Sequence, residues 1–179
     1  MPDDNELARL SSRGDAAAFD VLAERHAAYL YGVACALCAN SADAEDLVQE
    51  TLAGAWKSKF RGESSVRTWL VQILVRQAAM LHRSRARHGR LASLDAETSG
   101  GPAVEAKGPS PPASAVARLD LTDMLASLSP EHRAVIVLRE LEGMSYEEMA
   151  KALGVPQGTI ESRLYRARED LRRRYHGYL

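Results

Sequence analysis

Apolar residues recur every three or four positions along most of this chain, and no segment alternates apolar with polar as a half-buried strand would. The pattern predicts helices throughout. Phe19, Leu22, His26, Tyr29, Leu30 and Val33 set the spacing of a first long helix, from about Asp15, a suitable N-cap, to Cys38. A short leading helix is expected near Asn5–Ser12. Ser41 is placed to cap a second helix, with Asp43, Glu45 and Asp46 in its first turn, where carboxylates suit the helix dipole. It continues to about Ser58. Lys57–Ser65 reads as a loop. Ser64 or Ser65 then caps a third helix whose buried stripe is Val66, Leu70, Ile73, Leu74, Gln77 and Leu81, with Val75 pointing outward.

The last third carries the clearest local signals. Ser145 and Glu148 form an S-x-x-E capping box for a helix through Leu153. Gly154 suits the left-handed residue that ends it, and Pro156 cannot continue it. The next helix starts at about Gln157. Ile160, Leu164, Ala167 and Leu171 form its apolar stripe. Gly158, Thr159, Ser162, Tyr165 and Arg166 point the opposite way, with Glu161, Arg163 and Arg168 on the flanks. Two short helices, a Gly-Val-Pro turn and an arginine-studded helix are the layout of a helix-turn-helix that reads the major groove. Hydroxyl and arginine side chains reach base edges and phosphates together, and Gly158 permits close backbone approach.

Between Ala92 and Ala113 the chain turns rich in Gly, Pro, Ser and Ala, with almost no large apolar residue. Such a segment cannot bury enough surface to fold alone. The expected fold is therefore all-α. Two small helical domains, residues 1–91 and 114–179, are joined by a flexible linker, residues 92–113.

Charge sharpens this picture. The net charge is −1, yet residues 1–50 hold ten acids against three bases. From Ser64 to Leu94 there are six arginines and no acid, and from Gln157 onward six arginines face Glu161, Glu169 and Asp170. Two basic patches on an otherwise acidic chain fit local phosphate contact. No window approaches the roughly 18 consecutive apolar residues of a membrane span. The acidic start MPDDNELARL lacks the basic and apolar regions of a signal peptide. A cytoplasmic protein without membrane insertion is expected.

Cys35 and Cys38 form one C-x-x-C, but no second pair supplies four zinc ligands, and both lie in an apolar helical run. They read as small buried hydrophobes. No catalytic motif is present, so no metal, no cofactor and no enzymatic activity are expected.

Three stretches together carry a family resemblance: DAEDLVQETLAGAW, then FRGESSVRTWLVQI, and LSPEHRAVIVLRELEGMSYEEMAKALGVPQGTIESRLYRAR. In this order they resemble a bacterial sigma factor of the extracytoplasmic-function type. The first two, with AFDVLAERHAAYLYGVA before them, are similar to the family's second conserved region, and the last to its fourth. The resemblance implies a protein that binds core RNA polymerase, directs it to promoters and helps open the duplex. It also implies an anti-sigma partner.

Carried onto this sequence, the resemblance assigns the polymerase contact to Asp46, Leu47, Gln49 and Glu50. Periodicity alone describes a solvated acidic face there. It assigns the minus-ten element, where relatives trap an unstacked base, to Lys57, Lys59, Phe60, Arg61, Gly62, Ser64 and Arg76. Phe60 either stacks on a base or anchors the loop to the core, and Trp69 reads as core. It assigns the minus-thirty-five element to Gly158, Thr159, Glu161, Ser162, Arg163, Tyr165, Arg166 and Arg168. Two departures leave the promoter sequence open. Arg76 and Met80 stand where relatives often have asparagine and aspartate. Glu161 stands where many have a basic or apolar residue; it would repel phosphate but can accept from a cytosine amino group.

A helix-turn-helix regulator that never joins polymerase would explain the C-terminal half only. A pure interaction module is the third reading.

Overall fold

The computed structural model describes residues 2–38, 40–95 and 121–175. All regular structure among them is helical. Helix α1 (Asp4–Ser11) is capped by Asp3, whose carboxylate accepts from the Glu6 amide at 2.7 Å. A turn through Gly14, at φ 94°, leads to α2 (Ala16–Leu37), capped by Asp15. The cap of α3 (Ser41–Lys57) is Asn40 rather than Ser41: its side-chain oxygen accepts from the Asp43 amide at 2.9 Å. Either residue type caps well, so composition alone did not separate them. Ser65 caps α4 (Val66–Asp95), accepting from the Thr68 amide at 3.0 Å. At 30 residues, α4 is about 45 Å long. It passes the expected boundary at residue 91; residues 96–113 of the expected linker lie outside the described residues.

In the C-terminal half, residues 121–126 are helical. Ser129 caps α5 (Pro130–Ile136), which starts on a proline whose missing amide costs nothing at that position. The helix then widens into a π turn, Val137–Leu141, where the Glu142 amide reaches the Val137 carbonyl at 3.1 Å. Helix α6 (Tyr146–Leu153) has the full Ser145–Glu148 capping box and ends on Gly154 at φ 65°. Helix α7 (Gln157–Arg174) follows directly.

Each half has its own apolar centre: Leu22, Leu30, Leu70 and Leu74 in the first, Val135, Leu138, Met149, Ile160 and Leu164 in the second. The halves also pack on each other. Val75, expected to face outward, is buried, as are Val71 and Ala78. Val75 and Ala78 line a common cleft with Ala134, Leu153 and Val155. Helix α4 thus buries a second stripe beside the one that faces α2 and α3. A pattern read for one domain cannot anticipate a stripe covered by another.

Polar contacts fix this junction. Arg133 is 6 % exposed and donates to the carbonyls of Leu125, Ala126 and Leu128, and to Leu37 at the end of α2 at 3.1 Å. Burial pulls its pKa below the usual arginine value. The Tyr29 hydroxyl donates to Glu142, whose side chain is 6 % exposed. Burial, reinforced by that carboxylate, pushes the Tyr29 pKa up to about 12. Arg67 lies 3.9 Å above the Tyr29 ring and 3.7 Å from Glu142. The π turn is what carries Glu142 to this point.

Candidate nucleic-acid and polymerase interfaces

Three surfaces hold the residues singled out by sequence. On α3, Asp46, Gln49 and Glu50 are exposed on one side. Leu47 is not beside them on the surface: it is 3 % exposed and belongs to the core. Its place in the same run of residues hid this, because the helix turns about 100° at each residue. Leu47, Met80 and Leu81 line a groove between α3 and α4, of about 550 Å³, together with Asp46 and Glu50 of α3 and Arg83 and Arg87 of α4. Such a groove offers an apolar base with acceptors and donors at its rim.

The second surface is the loop before α4. Lys57, Lys59, Arg61 and Gly62 are exposed and Ser64 half-buried. Gly62 sits at φ 74°, a conformation that side chains resist, and lets the loop turn back. Phe60 is buried, its ring 5.3 Å from that of Trp69. Its amide donates to the Ser12 hydroxyl at 3.0 Å. Of the two roles open to Phe60, this arrangement displays the anchor. The loop borders a cavity of about 860 Å³. Lys59, Arg61, Gly62 and Ser64 form one side, Arg76 the floor edge, and Arg9 and Arg13 of the N-terminal segment another side. Glu148 and Lys151 of α6 also line it.

Arg76 is engaged here with the other half of the chain. It donates to the carbonyls of Lys151 at 3.0 Å and Ala152 at 3.3 Å, at the end of α6. The last carbonyls of a helix lack partners within it and carry its negative dipole end, so a guanidinium is well placed there. No local pattern signals this, since the partners are backbone atoms far along the chain.

The third surface is α7. Ile160, Leu164 and Ala167 are buried, and Leu171 half-buried. Gly158, Glu161, Ser162, Tyr165 and Arg166 are exposed, Tyr165 by 68 %, with Thr159 half-buried beside them. Gln157 donates to Glu161 at 3.3 Å, and Ser162 to the Thr159 carbonyl at 3.0 Å. Of the flanking arginines, Arg168 pairs with Glu140 at 2.7 Å, which raises its pKa. Arg163 turns toward the cleft between the halves. The outer face thus presents hydroxyls, an amide–carboxylate pair and Arg166, exposed among the described residues.

No group of metal-ligating side chains gathers among the described residues. Cys38 is buried and Cys35 half-buried. No helix among the described residues is long and apolar enough to cross a membrane.

Comparison with known proteins matches this geometry to one class. Residues 22–88 match the family described as Sigma-70 region 2, and residues 118–171 the one described as Sigma-70, region 4. The chain is 37% identical over 171 residues to the ECF RNA polymerase sigma factor SigL of Mycobacterium tuberculosis, covering 93% of this chain and 94% of that one. It is 37% identical over 166 residues to the ECF RNA polymerase sigma factor SigE of Mycolicibacterium smegmatis, spanning 89% of this chain and 63% of that longer protein. Among solved structures it is similar to the sigma factor RpoE of Bartonella quintana, in complex with the anti-sigma factor NepR. The TM-score is 0.62 and the identity 31%, covering 84% of this chain and 92% of that one. The chain belongs to the sigma-70 family, in its extracytoplasmic-function group. This is a family of transcription factors rather than catalysts.

Proposed function

We propose that this protein binds core RNA polymerase, brings it to a specific set of promoters and promotes opening of the DNA there. The observation that carries this reading is the presence, in one chain, of three separate surfaces: an acidic edge on α3, a basic loop before α4 and an exposed reading face on α7. A regulator that only binds DNA has use for the last alone.

In this reading residues 1–91 hold polymerase and the minus-ten element, and residues 114–179 read the minus-thirty-five element. Asp46, Gln49 and Glu50 accept hydrogen bonds from a basic surface of polymerase. Lys57, Lys59, Arg61, Gly62 and Ser64 receive the opened strand, with polar groups and an adaptable backbone at the cavity and positive charge around it. Gly158, Thr159, Glu161, Ser162, Tyr165 and Arg166 face the major groove, while Arg163 and Arg168 hold phosphates.

The packed arrangement adds a condition. Helix α6 lines part of the loop cavity and occupies Arg76. The two halves therefore separate before the opened strand enters, and Arg76 is released to it. The Bartonella relative was solved with an anti-sigma factor; a partner of that kind would hold this chain away from polymerase. Co-purification tests the reading. The chain should be retained by immobilised core polymerase and lose retention when Asp46, Gln49 and Glu50 are changed together. A chain that binds duplex DNA but never polymerase would be a conventional regulator instead.

A further inference from the structure

The N-terminal helix α1 and the turn after it precede the residues that match the family's region 2, which begin at residue 22. They nonetheless form one side of the loop cavity. The first fifty residues carry only three basic side chains, Arg9, Arg13 and Arg25, against ten acids. Arg25 is neutralised by Asp4 at 2.9 Å. The other two both line the cavity, and neither guanidinium makes a hydrogen bond or ion pair among the described residues. Both are exposed, so the acidic N-terminal segment places its two uncommitted guanidinium groups together on one side of this cavity.

Their placement relative to the loop is fixed. The Ser12 hydroxyl donates to the Ala8 carbonyl at 2.8 Å and accepts from the Phe60 amide at 3.0 Å, so the end of α1 and the loop are tied together. A Cβ at Gly62 would come within 3.7 Å of the Arg9 guanidinium, which shows that Arg9 reaches over the loop turn. The other cations of the cavity are partly committed: Arg61 to Glu63, Arg76 to α6, Lys151 to Glu147. Lys59, Arg9 and Arg13 remain uncommitted in the packed chain, and all three stay with the N-terminal half, beside the released Arg76, when α6 leaves.

We propose that Arg9 and Arg13 form a phosphate clamp for the single strand whose base enters the loop cavity, and so extend the strand-binding surface onto α1. This rests on the reading of the loop as the strand-receiving site. The clamp is blind to sequence, because guanidinium–phosphate contacts carry no base information.

The test uses holoenzyme assembled from core polymerase and the full chain. The probes are forked DNAs carrying promoters selected by transcription of genomic DNA, with single-stranded non-template tails of two different sequences. Binding is measured across a salt series for the wild type, for Arg9→Ala with Arg13→Ala, and for Arg9→Lys with Arg13→Lys. Loss of two phosphate contacts on a single strand should reduce the log–log salt slope by about 1.4. The loss should be equal on both tails, and the lysine pair should restore the slope. An unchanged slope in the alanine pair overturns the clamp alone. So does a reduced slope that lysine fails to restore, which would mark a structural role. A wild-type holoenzyme that engages no forked DNA overturns the underlying reading as well.

Discussion

The Glu142 carboxylate lies 3.7 Å from the Arg67 guanidinium, joining the π turn of one half to the start of the long helix of the other. No local signal in the sequence links these two residues. If the halves pack as described, the pair is energetically coupled. Arg67→Ala and Glu142→Ala, alone and together, should show a coupling of about 0.5–1 kcal/mol in urea unfolding, toward the low end because the Arg67 side chain is 58 % exposed. Strictly additive effects would mean that the halves do not associate in the free chain.

The acidic edge of α3 sets a second expectation. Asp46, Gln49 and Glu50 are exposed, so replacing them with alanine should leave the fold intact. Polymerase affinity should fall by about 1.5–3 kcal/mol for each charged hydrogen bond lost from a desolvated contact. Calorimetric melting checks the first half of this statement and pull-down with core polymerase the second. Leu47→Ala should behave differently. Removing a buried leucine side chain costs about 2–5 kcal/mol of stability, and its effect on polymerase binding should follow from that loss.

On α7 the two kinds of arginine should separate. Arg166 is exposed on the reading face; Arg166→Ala should cost about 1–3 kcal/mol and relax preference at one upstream promoter position. Arg168 is held by Glu140; Arg168→Ala should weaken all promoters about equally and lower the salt slope by about one unit. Footprinting on a promoter library at several salt concentrations measures both.

What local chemistry decides was legible in the sequence. Asp15, the Ser145–Glu148 box, Gly154 and the apolar stripe of α7 all act within a few residues of themselves, and the helices begin and end where they direct. The candidate surfaces of α3 and α7 were legible for the same reason: an exposed helical face is the complement of its buried stripe. What depended on distant partners was not. Val75 is buried and Arg76 occupied because α5 and α6 lie against α4. Phe60 is fixed by Ser12 and Trp69, and Glu142 is brought to Tyr29 by a π turn that has no simple sequence mark.

Acid should loosen α1. The hydrogen bond from Arg25 holds the Asp4 carboxyl below its ordinary value of 3.8, with His26 adding to the effect. Because the folded-state value is the lower one, this contribution is complete above 3.8 and is lost as pH falls through the lowered value. Asp4→Asn should remove it at neutral pH. Hydrogen exchange should then speed up in the amides of α1 while α2 to α4 keep their protection.

The most direct measurement of the central claim is transcription. Core RNA polymerase is incubated with fragmented genomic DNA, with and without the full chain, and the 5′ ends of the transcripts are sequenced. A small set of discrete start sites should appear only with the chain, share sequence upstream, and vanish when Asp46, Gln49 and Glu50 are replaced. Identical start sites with and without the chain, under conditions where core polymerase is active, would contradict the claim.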